Sequence, residues 1–178
     1  IPGFHVTMED RVTLQTPGYS DKMVCGVFAE GADNTEEHYI YEKAMADMEQ
    51  NRGKGKPFCT FISTYAPHDP YCVPREIYDL YENVPIQLPK SYRDPMDDKP
   101  AVYRRMRSCL ANLTEEEYRK ARRCYYSYCT LVDRQVGKLV QYLKEKNLYE
   151  NTLIVCMSDH GDMMGAHGLM MKSVEPFE

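Results

Sequence analysis

Two short apolar runs bounded by turn residues frame the chain. Residues 57–65, from Pro57 through Phe58, Phe61 and Ile62 to Tyr65, are rich in aromatic and β-branched positions. Residues 152–157, Thr152 to Met157, are almost wholly apolar. Each has the length and composition of a buried strand. Met23 to Phe28 predicts a third, shorter strand, and Pro17-Gly18 a turn before it. Two segments carry the helical period. Thr35 followed by Glu36, Glu37 and His38 reads as a helix start, and the pattern predicts a helix over 37–50, broken by Gly53, Gly55 and Pro57. The clearer helix is predicted over 114–146. Thr114 can cap it, Glu115, Glu116 and Glu117 suit its N-terminal dipole, and Tyr118, Ala121, Tyr125, Tyr128, Val132, Val136, Leu139, Val140 and Leu143 make one apolar stripe. Between these elements, residues 72–112 read as a long loop with prolines at 74, 85, 89, 95 and 100, a length usually tied to binding. The order is helix, strand, long loop, helix, strand. That alternation predicts one α/β domain over 1–178, with a largely parallel sheet flanked by helices.

Composition narrows the classes. At 178 residues the chain has the size of about one domain. A net charge of -5 argues against a nucleic-acid binder, so an anionic substrate would be met by local cations. No run of 18 apolar residues predicts a membrane span. The start at Ile1 has neither a charged nor an apolar leader region, and any leader would lie upstream. Seven cysteines without regular spacing make no disulfide framework, and the lack of a CxxC pair argues against a zinc ribbon. Cys59 and Cys156 fall inside the strand-like runs and read as small buried hydrophobes. Reduced thiols lean towards an intracellular setting.

The chemistry gathers where the apolar runs end. Ala66-Pro67-His68-Asp69-Pro70-Tyr71 follows the first. Ser158-Asp159-His160-Gly161-Asp162 follows the second and continues through His167 to Lys172. Asp-His-Gly alone is most often an ordinary turn. Here it is joined by Asp162, His167 and Lys172 in a stretch otherwise of Gly, Met, Ala and Leu. Few polar groups in apolar surroundings are what a binding site looks like. Asp159 and His160 offer an oxygen and a nitrogen to a divalent cation. Lys172 can neutralise developing charge, and His68 can hydrogen-bond or protonate a leaving group. Such a set suits hydrolysis of a sulfate or phosphate ester.

In these segments the chain resembles the sulfatase family of the alkaline phosphatase superfamily. The matching residues are Pro57 to Ser63 into Pro67-His68-Asp69-Pro70-Tyr71, Tyr125-Tyr126 through Val132 to Leu139, Leu148 to Val155, and Ser158 to Asp162 with His167, Gly168 and Lys172. Phe177-Glu178 is similar to the start of the family's next segment. The likeness is greatest to the branch with iduronate-type, choline-type and phosphonate-ester enzymes. It implies an alkaline-phosphatase-like fold. It also implies that Asp159 and His160 ligate a cation, usually calcium and sometimes magnesium or manganese, while His68 and Lys172 contact the sulfate or phosphate group and assist cleavage. Asp69, Asp162 and His167 are expected to serve through hydrogen bonds or loop structure. The ligand implied is a small-molecule or saccharide sulfate or phosphate ester.

The sequence departs from the family pattern in two respects. The family's nucleophile is a formylglycine made from Cys or Ser in a Cys/Ser-x-Pro-x-Arg motif, and its metal site includes an N-terminal aspartate pair. Neither occurs here. Cys72-Val73-Pro74-Arg75 places the arginine one residue early and follows His68 instead of preceding it. The expectation is therefore an internal piece of a longer sulfuric ester hydrolase, with formylglycine supplied upstream. The isolated chain is then expected to be marginally stable and inactive. The alternatives are a phosphodiesterase or phosphonate monoester hydrolase of the same superfamily, or a non-catalytic binding module that lost its nucleophile. Arg93, Arg104, Arg105 and Arg107 either read an anionic sugar or are simply solvated.

Overall fold

The computed structural model describes residues 7–16 and 20–172; the Pro17-Gly18 turn and Phe177-Glu178 lie outside the described residues. Three strands form one sheet in the order β1 (Met8–Leu14), β2 (Lys22–Phe28), β3 (Tyr71–Pro74). β2 is the central strand because its run Val24-Cys25-Gly26-Val27-Phe28 is apolar throughout and can be buried throughout. It pairs antiparallel with β1 and parallel with β3, with Cys25 opposite Tyr71 and Phe28 opposite Pro74. β1 escapes sequence reading because only Val12 and Leu14 turn inward, after charged Glu9, Asp10 and Arg11.

Helix α1 spans Glu36–Arg52, with the Thr35 hydroxyl accepting from the His38 amide. Two short helices, α2 (Arg75–Tyr78) and α3 (Ala101–Cys109), lie in the region read as loop. Helix α4 spans Glu115–Glu145 and opens on a complete capping box between Thr114 and Glu117. It packs on β2 and β3, burying Tyr118, Ala121, Cys124, Tyr128 and Leu131 against Val24, Val27, Tyr71 and Val73. Its inward face is rotated from the predicted stripe. Ser127 and Gln135 are buried on it, while Tyr125, Val132, Val136 and Val140 are half-covered. A second, smaller cluster joins α1 to the far end of α4 through Tyr41, Met48, Leu139 and Leu143.

Glu37 sits in that α1–α4 contact, buried, with Tyr128 Oη donating to its carboxylate at 3.3 Å. Burial pushes its pKa above the ordinary 4.5. The folded protein thus binds this proton more tightly than the unfolded chain. The associated stability is fully present below 4.5 and is lost as pH rises through the folded-state value. Thermal melts between acid and neutral pH should show Glu37→Gln gaining on the wild type as pH rises. Parallel curves would show that Glu37 does not titrate in this way.

Three expectations need correction. The segments 57–65 and 152–157 are extended but join no ladder, so the sheet is small and mixed, and not largely parallel. Among the described residues they pair with no neighbouring strand, and a strand exists only by such pairing. Most of their apolar side chains stand exposed, with Phe61 at 92% and Leu153 at 89%, while Ile62 packs half-buried against the α1–α4 cluster. Cys59 and Cys156, read as buried, are exposed with them. The 72–112 region is not a plain loop. It holds the end of β3, α2, α3 and 3-10 turns at Asp79–Tyr81 and Lys90–Arg93. Its arginines mostly tie that region together. Arg104 donates to the Met96 and Lys99 carbonyls, Arg107 to the Asp94 carbonyl, and Arg93 pairs with Glu115 at 2.6 Å, while Arg105 is exposed. No helix among the described residues is long and apolar enough to cross a membrane.

Candidate active site

Two loops build the site. The first, residues 66–70, leads from the extended run into β3, between cis peptide bonds at Ala66–Pro67 and Asp69–Pro70. The His68 amide donates to the Tyr65 carbonyl at 3.0 Å, and the Tyr65 hydroxyl returns to the Asp69 carbonyl at 3.2 Å. The Tyr65 ring lies 4.7 Å from the His68 ring. His68 Nδ1 is 2.7 Å from the Asp69 carbonyl oxygen and 3.3 Å from its carboxylate Oδ1. A carbonyl can only accept, so Nδ1 carries the hydrogen and Nε2 is the nitrogen turned outward.

The second loop runs from Ser158 to Lys172 and is held at its middle. Met163, Met164, Leu169 and Met170 are core residues, so the methionines of the motif serve as anchors. Asp162 pins the loop to the sheet. Tyr71 Oη donates to Asp162 Oδ2 at 2.6 Å, and the Met164 amide donates to Oδ1 at 3.0 Å. Burial raises the pKa of both partners. The Met163 amide to the Met171 carbonyl, and the Gly165 amide to the Leu169 carbonyl, close the loop on itself. His167 Nδ1 lies 2.6 Å from Asp94 Oδ2, and Tyr118 Oη donates to the Gly168 carbonyl at 2.8 Å. Gly165 and Gly168 hold φ of +91° and +68°, a conformation that favours glycine. The returning chain therefore delivers Lys172 beside the residues from which it left.

All four sequence-predicted site residues meet there. Lys172 Nζ is 3.4 Å from His68 Nε2, and the His68 and His160 rings stand edge to face at 5.4 Å. His160 Nε2 is 3.9 Å from Asp159 Oδ1. His68 lies before β3 and not beyond the carboxyl end of a paired strand, because the run preceding it is not in the sheet. The arrangement is an open shelf: the Asp159 side chain is 91% exposed. A cavity of about 480 Å³ between the 78–86 segment and α4 contains none of the four.

The donor set fits a share of a divalent cation's shell. His160 Nδ1 lies 2.8 Å from the Gly161 carbonyl, which leaves its Nε2 lone pair free for a metal, as a ligating histidine requires. Asp159 adds an exposed carboxylate oxygen. Two donors fill only part of the six to eight positions calcium takes, and no group of three or more His, Cys, Asp or Glu suited to a metal occurs among the described residues. Cys72 is no substitute nucleophile. It lies half-buried on β3, and burial pushes its thiol up to about 12, so it is protonated at neutral pH. Sequence reading missed Tyr71 as the loop's anchor, although it lies in the quoted motif. It also missed Lys22, whose ammonium reaches Asp69 Oδ2 at 2.8 Å from a stretch with no periodic signal.

The sulfatase family model matches residues 5–175. The chain belongs to the sulfatase family. Among curated sulfatases it is 35% identical over 137 residues to choline-sulfatase of Rhizobium meliloti (strain 1021), covering 75% of this chain and 26% of that protein. It is 30% identical over 135 residues to arylsulfatase of Clostridium perfringens (strain 13 / Type A), covering 74% and 27%. Its fold resembles that of the phosphonate monoester hydrolase of Agrobacterium radiobacter, with a TM-score of 0.70 at 22% identity over 83% of this chain and 32% of that one. The chain thus spans about a quarter of the length of the curated sulfatases it matches.

Proposed function

We propose that this chain supplies the ester-orienting and part of the metal-binding machinery of a sulfuric ester hydrolase. The observation that carries the reading is the convergence of His68 and Lys172, 104 residues apart and 3.4 Å from contact partner to partner, beside Asp159 and His160. A divalent cation on Asp159 and His160, calcium as the family resemblance implies, would supply positive charge at an ester oxygen. The Lys172 ammonium is placed to neutralise charge developing on the sulfuryl oxygens. His68 Nε2 faces the same space and is placed to hydrogen-bond the leaving oxygen. The attacking group is assigned to a formylglycine on polypeptide outside these residues. The expected substrate is a small-molecule or saccharide sulfate ester.

Sulfate is favoured over phosphonate because the choline-sulfatase and arylsulfatase relatives share 35% and 30% of aligned residues, whereas the likeness to the phosphonate hydrolase speaks for fold alone. The test assays the complete gene product on an aryl sulfate and on an aryl phosphonate ester, with and without EDTA. Faster sulfate cleavage, lost with EDTA and restored by calcium, is the expected result. Faster phosphonate cleavage would move the protein to the phosphoryl-transfer alternative. Inactivity on both would favour a binding module.

A further inference from the structure

We propose that Lys22 and Asp69 form a positioning pair that aims His68 into the site. The proposal rests on the ester-hydrolase reading for the task His68 performs, but the geometry stands apart from it. Asp69 is the buried member, its side chain only 8% exposed. A buried carboxylate is stable only with partners. Among the described residues it has two: Lys22 Nζ at 2.8 Å from Oδ2, and His68 Nδ1 at 3.3 Å from Oδ1. The carboxylate thus bridges a fixed cation and the imidazole.

Lys22 is placed by the sheet. It opens β2, which runs parallel to β3, and Cys25 stands opposite Tyr71. That register brings the start of β2 to the edge where Asp69 precedes β3. The same ammonium reaches Met171 Sδ at 3.2 Å, one residue before Lys172. One side chain therefore touches both loops of the site. On the imidazole, the Asp69 carbonyl and carboxylate both lie on the Nδ1 side, and Lys172, which can only donate, lies on the Nε2 side. Both neighbours select the ring with its hydrogen on Nδ1 and Nε2 outward. Lys22 and Asp69 touch no reacting atom in this scheme; they act through His68.

The test reads the His68 ring directly by long-range proton–nitrogen spectra of isotope-labelled protein, at alkaline pH where imidazoles are neutral. The wild type should show a protonated Nδ1 and an unprotonated Nε2. Asp69→Asn and Lys22→Met leave the Asp69 carbonyl as an Nδ1 acceptor but remove the charged carboxylate or its anchor, and should shrink the difference between the two nitrogen shifts, which Lys22→Arg should restore. In the complete gene product the first two variants should lower kcat by about 10- to 100-fold with KM little changed, and the arginine variant should recover. Unchanged ring shifts and unchanged kcat in both disabling variants would overturn the proposal and leave an ordinary ion pair. If the wild type cleaves no ester, the functional reading falls, and the ring shifts alone still decide whether the pair sets the tautomer.

Discussion

His68→Ala is expected to lower ester turnover of the complete gene product by about 10²–10⁴-fold, with little change in substrate binding. The reason lies in the direction of the side chain. Nδ1 is committed to the Asp69 carbonyl, so Nε2 is the single ring atom available to a leaving group. Truncation removes that contact without opening the core, because His68 is half-buried in a loop. Lys172→Ala should act on the same step, through charge left uncompensated in the transition state. The two losses should be less than additive, since the groups sit 3.4 Å apart and act on one ester. Steady-state kinetics of the single and double variants check this. Near wild-type kcat in His68→Ala would remove His68 from the reaction.

Gly168→Ala should destabilise the protein by about 1–3 kcal/mol and displace Lys172 from His68. Two penalties combine. At φ of +68° a side chain is strained, and a Cβ would meet Arg107 Nε at 2.8 Å and the Tyr92 carbonyl at 3.3 Å. Arg107 is not free to swing away, because it donates to the Asp94 carbonyl, and Asp94 holds His167. The damage therefore falls on the turn that returns the chain to Lys172. Gly53→Ala is the control: its φ is -84° and nothing lies within 4 Å of the added carbon, so its effect should stay within about 0.5 kcal/mol. Denaturant melts of both variants separate the cases. Equal stabilities would mean that the loop yields more readily than its hydrogen bonds imply.

The helices were legible because their signals are local. Thr35 and Thr114 announce the starts of α1 and α4, and an apolar period of three to four residues carries α4 to its end. The buried face of α4 was less legible. Ser127 and Gln135 lie on it for reasons of tertiary packing, not residue type. The runs at 57–65 and 152–157 mark the opposite limit. Phe61, Leu153 and Val155 have strand composition, but composition cannot supply a pairing partner. Of the site, His68, Asp159, His160 and Lys172 were readable as motif, and the structure gathers them. Lys22 was not readable, because its role depends on the β2–β3 register and on no feature of its own neighbourhood. Tyr71 and Asp162 were visible as residues, but their hydrogen bond spans 91 positions and no spacing announces it.

The proposed chemistry requires Asp159 and His160 to hold a cation beside His68 and Lys172. Titration of the labelled 178-residue chain with Mn²⁺, followed by paramagnetic broadening, tests it most directly, because broadening detects even a weakly held ion. The signals of Asp159, His160 and the adjoining His68 ring should broaden first, and Asp159→Asn should abolish the effect. Broadening centred on other acidic positions, indifferent to Asp159→Asn, would show that Asp159 and His160 do not hold the ion.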